Sequence, residues 1–287
     1  MSNNVARRFL DFIALGPPRT ATTWLDAVLR EHVGLPEQTK ETQFFTRNYE
    51  RGTDWYAWHF RLCAAEPVVG EICTFYFENF KPGSASNDNL PGCKIICTLR
   101  DPVDRLYSYY KLMRQKGRTE LGFEQALIKH KQMLDCSRYA FHVRDWQAKF
   151  GADNVLVVLN DDLIADPQNY LDCITDFIGI PRITPTATTT RRRDNTIETA
   201  LGSIWFANRG RKFRFWLGSH QFYGMRKFLG RAGVWRLCFE GGERFLPLDP
   251  REEERLRDQL KPEVEALERL LRRDLSHWKK TRQVSLV

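Results

Sequence analysis

The chain has 287 residues, of which 42% are hydrophobic and 13% aromatic, enough to bury a full core in one large α/β domain. No run of ~18 apolar residues occurs and the N-terminus lacks the apolar region of a signal peptide, so we expect neither a transmembrane segment nor secretion. The formal net charge of +8 favours anionic partners, and seven cysteines without a CxxC pair predict a reduced, cytoplasmic protein with no zinc site.

The first predicted unit is a strand, a tight loop and a helix. Residues 9–15 form an apolar run of strand length, Gly16 and two prolines break it, and apolar residues recur at helical spacing from Trp24. The first N–H groups of a helix have no internal partner and carry partial positive charge. We therefore expect the loop to bind a phosphate or sulfate, with help from one cation and three hydroxyls, those of Arg19, Thr20, Thr22 and Thr23. The loop is not a Walker A motif, because it has no second glycine and no lysine.

The loop sequence PPRTATTWL resembles the 5′-phosphosulfate loop of sulfotransferases that use PAPS (3′-phosphoadenosine 5′-phosphosulfate), whose pattern is close to P-[KR]-[ST]-G-T-T-x-L. The resemblance places Arg19 on the basic position, which implies that it binds the donor and assists catalysis. The chain departs from the pattern at Ala21, where nearly all members have glycine. The loop residues that the resemblance implies as donor contacts are Arg19, Thr20, Ala21, Thr22, Thr23 and Trp24.

The next segment also resembles a family motif. KETQFF followed by YERGTDWY is similar to K-E-x-x-F-F…Y-x-x-G-x-x-W-Y of heparan-type and related bacterial sulfotransferases. In that group the glutamate is the proposed base, so the resemblance implies that Glu41 takes the proton of the acceptor. His32 and His59 remain competing candidates, because an unshifted histidine also titrates in the useful range. The residues that we assign to acceptor binding are Lys40, Phe44 and Tyr76.

A short strand candidate at residues 67–70 leads into GEICTFY, which resembles G-E-K-[ST]-P-x-Y of heparan-type relatives. Gly70, Glu71 and Tyr76 fit that pattern. Ile72 stands where those enzymes place an active-site lysine. One cation is therefore missing or is supplied from elsewhere in the chain.

A second buried strand is predicted at residues 93–99, followed by a helix that opens at Pro102 and ends near Gly117. The sequence LRDPVDRLYSYY resembles the second sulfotransferase signature, L-R-[DN]-P-x-x-R-x-x-S-x-Y. The resemblance implies that Arg100 and Ser108 bind the 3′-phosphate of PAPS, a role that suits a forked cation and a hydroxyl. It also implies that a later loop folds over this phosphate, with Arg191 or Arg193 as the contact.

The second half of the chain continues the alternation of helices and strands. Helices are predicted over residues 123–134 and 139–150, and a third buried strand over 154–159. That strand ends near Asp161 and Asp162, which resembles a Walker B element and keeps a nucleotide kinase as an alternative. The last predicted element is an amphipathic helix over residues 249–274, which we expect to break near Pro262.

Residues 201–239 form a basic-aromatic segment, with eight Lys or Arg, ten aromatic residues and no Asp or Glu. We weigh an acceptor-binding wall, an anionic-glycan contact and a membrane-surface patch against ordinary helices with inward aromatic and outward arginine side chains. A non-catalytic polyanion-binding protein that uses this segment is a second alternative function.

The three strands and their helices predict an α/β fold, with a P-loop-like, doubly wound, mainly parallel sheet and helices on both faces. We expect one sulfotransferase domain over residues 1–287. The implied function is transfer of a sulfuryl group from PAPS to a hydroxyl or amine, with PAP (adenosine 3′,5′-bisphosphate) as product and no metal. The acceptor is a glycan or another small molecule, no nucleic-acid partner is expected, and the oligomeric state stays open.

Overall fold

The computed structural model describes residues 10–63, 66–79, 90–186 and 241–281, together with the pieces 199–201, 212–213, 216–217, 225, 228–230 and 232–234. The chain divides into two compact units. The first unit comprises Met1–Arg105, Asp135–Asp194 and Leu256–Val287, and the second comprises Leu106–Leu134 and Asn195–Arg255. The single domain expected over residues 1–287 stays a prediction.

A parallel sheet organises the first unit. Its strands, in the order β2-β1-β3-β4, are β1 (Phe12–Leu15), β2 (Gly70–Ile72), β3 (Lys94–Leu99) and β4 (Val155–Leu159). The second unit contains an antiparallel pair, β5 (Thr199–Leu201) and β6 (Gly241–Arg244). The described helices are α1 (Thr22–Leu29), α2 (Gly52–Trp58), α3 (Pro102–Gln115), α4 (Phe123–Lys129), α5 (Gln132–Asp135), α6 (Tyr139–Phe150), α7 (Asn160–Ala165), α8 (Pro167–Ile178) and α9 (Pro250–Leu271).

The sheet is buried on both faces, which is why its strands read as nearly continuous apolar runs. Because side chains alternate across a strand, Ile13 and Leu15 face one core while Phe12 and Ala14 face the other. The first core packs against α6 and the C-terminal part of α9, and the second packs against α1 and α8. The predicted α/β fold, with a mainly parallel sheet and helices on both faces, is confirmed.

Several element boundaries differ from the predictions. The candidate strand at 67–70 gives way to β2, which begins at Gly70, and the predicted helix 123–134 is divided into α4 and α5. The predicted break near Pro262 is wrong, because α9 runs without interruption from Pro250 to Leu271. A proline inside a helix costs about 3 kcal/mol. Here the surrounding turns are held by tertiary burial of Leu260, Val264 and Leu267.

A buried ion pair fixes the turn between β3 and α3. Asp101 caps α3, since its Oδ1 accepts from the backbone N–H groups of Val103 (2.9 Å) and Asp104 (3.2 Å). Its Oδ2 accepts from Arg257 Nη1 at 3.0 Å, and the same nitrogen donates to the carbonyl of Trp278 at 2.6 Å. The residue that precedes this cap, Arg100, is thereby held at a defined place at the end of β3.

Replacing Arg257 with leucine leaves the Asp101 carboxylate buried without its cation. We expect Arg257→Leu to lower the free energy of unfolding by about 3–5 kcal/mol in urea titrations. Arg255→Leu is the matched control, because Arg255 forms an exposed ion pair with Glu124 at 3.0 Å. The control should change stability by no more than about 1 kcal/mol. Equally small losses of stability in both variants would show that the buried pair of Arg257 and Asp101 stabilises the protein no more than an exposed ion pair does.

Candidate active site

The loop at residues 16–23, which we call the phosphate loop, is clamped against β3. A Cβ atom on Gly16 would lie 2.3 Å from both the carbonyl oxygen and the hydroxyl of Thr98, so only glycine allows this approach. The Thr20 hydroxyl lies 2.9 Å from the carbonyl of Pro17 and 2.8 Å from the Thr98 hydroxyl. The loop is therefore fixed to the strand that ends in Arg100.

The backbone of the phosphate loop enters the left-handed region twice. Arg19 has φ 83° and Ala21 has φ 67°. Each such conformation costs a residue with a side chain about 1–2 kcal/mol, and strain of this kind is typical of functional sites. The glycine that the family pattern has at position 21 would adopt this conformation without that cost, so alanine at this position adds strain to the loop.

The first turn of α1 has backbone N–H groups that can bind an anion. Ala21 is the N-cap residue and has no side chain that could accept from the first-turn N–H groups. An oxyanion placed there meets backbone donors and the positive end of the helix dipole. This is the first of two observations by which the residues present fit a phosphate or phosphosulfate group.

The second observation is that Arg19 and Arg100 follow two neighbouring strands, since parallel pairing places Leu15 of β1 beside Cys97 of β3. Burial, followed by the positive charge of Arg100, lowers the pKa of Arg19 to about 10. Arg100 is held by its backbone, since its carbonyl accepts from the Tyr139 hydroxyl at 2.9 Å, and its Nη2 lies 4.0 Å from Asp104 Oδ2. Two cations that repel each other inside a partly buried site are stabilised by a multivalent anion between or beside them.

Two of the predicted donor contacts in the loop, Thr20 and Trp24, have side chains that are packed inside the protein. The Trp24 indole is buried in the core, edge-on to the Tyr170 ring at 5.8 Å, and the backbone N–H of Trp24 donates to the Ala21 carbonyl. The Thr20 hydroxyl is buried in the clamp with Thr98. Both side chains support the loop, and contact of these two residues with a donor stays a prediction. Thr22 is also buried, whereas Thr23 is exposed at the start of α1.

Lys40 and Glu41 come to the same edge of the sheet. Glu41 Oε1 accepts from the backbone N–H (3.2 Å) and the hydroxyl (2.9 Å) of Thr74, which follows β2 closely in the chain. The Lys40 ammonium lies 3.4 Å from the Thr23 hydroxyl of the phosphate loop. These contacts bring the predicted base and the predicted phosphate site to the carboxyl ends of neighbouring strands, where α/β folds place their ligands.

The two histidines that compete with Glu41 lie elsewhere. His32 is exposed beyond the C-terminal end of α1, and this eight-residue helix spans about 12 Å from the phosphate loop. His59 is buried edge-on to Trp55 and Trp58, at 4.5 and 5.2 Å. Burial, together with two neighbouring arginines, lowers the pKa of His59. The geometry therefore favours Glu41 as the base.

A buried carboxylate, Glu71, which the sequence analysis matched to a family pattern without giving it a role, supports this end of the sheet. Glu71 is fully buried, and its Oε1 accepts from both the backbone N–H and the hydroxyl of Thr42, each at 2.7 Å. Its Oε2 accepts from the hydroxyls of Tyr56 (2.8 Å) and Tyr76 (2.9 Å). Burial raises the pKa of Glu71, and these four donors oppose that shift. The carboxylate thus fixes the residue next to Glu41. A glutamate between apolar strand residues was the available signal.

This cluster corrects two acceptor assignments. Tyr76 is fully buried with its hydroxyl on Glu71, and Phe44 is buried with its ring stacked on Tyr56 at 4.4 Å. Both side chains stand behind the site and support it, which argues against direct contact with an acceptor.

Other predicted residues fall outside this arrangement. Arg191, Arg193 and most of the basic-aromatic segment lie outside the described residues. Ser108 lies in α3 within the second unit, so its contact with a 3′-phosphate stays a prediction. Among the residues that the structure describes, no group of three or more His, Cys, Asp or Glu side chains could hold a metal ion.

The two aspartates that suggested a Walker B element are used structurally. Asp161 lies 3.2 Å from His277 Nε2 and accepts from the indole N–H of Trp278 at 3.3 Å. Asp162 pairs with Arg273 at 2.6 Å. Both carboxylates therefore anchor the C-terminal segment, which removes the observation behind the kinase alternative.

Comparison with known proteins gives a consistent result. A family model described as a sulfotransferase domain matches residues 10–199. The chain is 28% identical over 196 residues to human bifunctional heparan sulfate N-deacetylase/N-sulfotransferase 3, a match that covers 60% of this chain and 22% of that protein. It is 30% identical over 179 residues to the membrane-associated sulfotransferase kil1 of Dictyostelium discoideum, covering 56% and 37%. The chain thus matches well under half the length of these curated relatives.

Among solved structures, the chain is similar to a sulfotransferase from Alicyclobacillus acidocaldarius, with a TM-score of 0.67 and 24% identity. That similarity covers 96% of this chain and all of the other, and it supports the fold described above.

The Glu71 cluster makes a testable prediction about stability. In Glu71→Gln one acceptor oxygen becomes an NH₂ donor that faces a hydroxyl or N–H donor, so buried hydrogen bonds are lost. We expect the free energy of unfolding to fall by about 1–3 kcal/mol in urea titrations. Glu66→Gln, an exposed glutamate in the same unit, serves as the control and should be neutral. An unchanged free energy of unfolding in Glu71→Gln would mean that the negative charge of Glu71 does not contribute to stability.

Proposed function

Because the chain belongs to the sulfotransferase family, we propose that its phosphate loop, Arg100 and Glu41 form the site at which a sulfuryl group passes from PAPS to an acceptor hydroxyl or amine. The family assignment confirms the predicted enzyme class, a PAPS-dependent sulfotransferase. The roles of individual residues are our proposal. The observation that carries it is the approach of Arg19 and Arg100, which parallel pairing of β1 and β3 brings together at one edge of the sheet.

On the donor side, the phosphate loop and Arg19 hold the 5′-phosphosulfate of PAPS. The backbone N–H groups at the start of α1 and the exposed Thr23 hydroxyl contribute neutral donors, and Arg19 contributes charge. Arg100 recognises the 3′-phosphate. This assignment is supported by its position after β3 and by the anchoring of its carbonyl to Tyr139. Preorganised cations of this kind stabilise the charge that develops on the leaving phosphate.

On the acceptor side, Glu41 is the general base. The acceptor oxygen or nitrogen attacks sulfur, the bond from sulfur to the bridging phosphate oxygen breaks, and its electron pair stays on the phosphate of PAP. The acceptor proton passes to Glu41. Both hydrogen bonds from Thr74 end on Oε1, so we assign Oε2 to the acceptor proton. Fixing one carboxylate oxygen in this way orients the other, as general-base catalysis requires.

We further propose that the acceptor is a carbohydrate or another small metabolite. The proposal is supported by relatives named as heparan sulfate N-sulfotransferases, of whose length this chain covers only 22%. A cytoplasmic location stays a prediction, and within the described part of the chain no helix is long and apolar enough to cross a bilayer. Polyanion binding through residues 201–239 also stays open, because that segment lies largely outside the described residues.

The first test of this proposal uses nucleotide binding. Calorimetry in the presence of a chelator should detect PAP binding, and Arg100→Ala should weaken it by the value of a charge-assisted contact, about 1.5–3 kcal/mol. Binding of 5′-AMP, which lacks the 3′-phosphate, should change little. Arg138→Ala is the control, since Arg138 is an exposed arginine that pairs with Glu263. Equal losses for PAP and 5′-AMP would mean that Arg100 is structural.

A second test addresses the base. Glu41→Gln keeps the shape of the side chain and removes its basicity. It should leave PAP affinity unchanged and lower kcat by roughly 10²–10⁴-fold, the usual share of acid–base catalysis. Glu31→Gln, at the far end of α1, should retain full activity. Near-normal kcat in Glu41→Gln, under conditions where chemistry limits the rate, would assign the base to another residue.

A further inference from the structure

The cation that the family pattern places at position 72 cannot be supplied from that position. Ile72 is fully buried in the core that also contains Trp24 and Leu25 of α1. A lysine there would point into apolar surroundings, where an unpaired charge costs several kcal/mol. If the site uses a further cation besides Arg19 and Arg100, another part of the chain must provide it.

Lys40 is placed to do so. Its ammonium reaches the Thr23 hydroxyl at the start of α1, at 3.4 Å. In the described part of the chain this ammonium pairs with a neutral hydroxyl and not with a carboxylate, although Glu41 and Asp26 are close enough to act on its charge. Asp26 instead forms an ion pair with Arg30 at 2.6 Å. The half-buried Lys40 therefore brings its ammonium to a hydroxyl of the phosphate loop and, among the described residues, not into an ion pair.

We propose that Lys40 is a catalytic residue on the donor side, whose ammonium donates a hydrogen bond to the bridging oxygen between phosphorus and sulfur as the sulfur–oxygen bond breaks. The inference rests on the function proposed above. The electron pair of the broken bond stays on the phosphate oxygen, the acceptor proton goes to Glu41, and Lys40 keeps its three protons. Lys40 thus stabilises charge on the leaving group, the kind of interaction that contributes most in phosphoryl-type transfer.

This role differs from the acceptor contact predicted for Lys40 from the sequence. The side chain ends on the loop that receives the donor, while its neighbour Glu41 is held by Thr74 after β2. An ammonium has three donors, so Lys40 can keep its bond to Thr23 and still bind a phosphate oxygen. Consecutive residues would then serve the two ends of the reaction, with Lys40 on the leaving group and Glu41 on the nucleophile.

Binding measurements separate this role from an acceptor contact. Lys40→Met should weaken PAP binding about 10-fold in calorimetry and leave adenosine 3′-phosphate, which lacks the 5′-phosphate, unchanged. The kcat should fall roughly 10²–10³-fold, as when one preorganised donor to a developing anion is removed. Lys40→Arg, which keeps the charge, should retain PAP affinity within a few-fold. The control is Lys149→Met, because Lys149 pairs with Asp145 away from the site, and it should change nothing.

The pH dependence of kcat/KM for PAPS gives an independent readout. Burial lowers the pKa of Lys40, while Glu41 and Asp26 oppose that shift, and the thiol of Cys73 and the guanidinium of Arg30 are its other charged or titratable neighbours. Since the protonated form is the active one, activity falls as pH rises through this pKa. The fall should move to higher pH in Lys40→Arg. If the fall in kcat/KM came instead from deprotonation of Arg19, it would occur at the same pH in Lys40→Arg as in the unmodified protein.

Three results would overturn the role of Lys40. One is an equal loss of affinity for PAP and adenosine 3′-phosphate, another is a change confined to the acceptor KM, and the third is an unchanged pH profile in Lys40→Arg. If Lys40→Met proves unstable in thermal unfolding, the Lys40→Arg profile alone decides. Failure of the unmodified chain to bind PAP would instead overturn the proposed function, so the two failures are distinguishable.

Discussion

Parallel pairing of β1 with β3 is the constraint on which the site depends. Leu15 lies beside Cys97 in the sheet, so the loop after β1 and the turn after β3 leave the same edge as neighbours. The contact of Gly16 and Thr20 with Thr98 then removes the remaining freedom of the loop. Two arginines that are about 80 residues apart in the chain are brought together by main-chain hydrogen bonds, without any direct attraction between them.

That arrangement has a cost in free energy. Arg19 and Ala21 hold left-handed backbone conformations, and the partial burial of Arg19, followed by the positive charge of Arg100, lowers the pKa of Arg19. The surrounding core must outweigh these costs. Burial of the apolar residues of β1 and β3 supplies stabilising free energy for this purpose. An anion that binds only the folded state relieves the repulsion, so ligand and fold stabilise each other.

The sequence predicted the parts of this site whose residues are close together in the chain. Strand, loop and helix around Arg19, and strand, turn and helix around Arg100, are each continuous segments with a periodic apolar pattern. It failed where the decisive partner is distant. The Thr20 hydroxyl pairs with that of Thr98, 78 residues further along the chain, because β1 and β3 lie side by side, and the sequence gives no sign that this side chain is occupied within the protein. The uninterrupted α9 likewise follows from burial on both sides of Pro262.

Contacts between distant residues also hold the segment that carries the predicted base next to the phosphate loop. Glu71 on β2 binds the backbone and hydroxyl of Thr42, while Thr74 after β2 binds Glu41 itself. The segment that carries Lys40 and Glu41 is thus held from two points of one strand, and that strand pairs directly with β1. A side chain on a loop is held loosely unless a rigid element supports it. Here the sheet supports both the phosphate loop, which we propose binds the donor, and Glu41, which we propose as the base, because these groups follow or are held by the neighbouring strands β1 and β2.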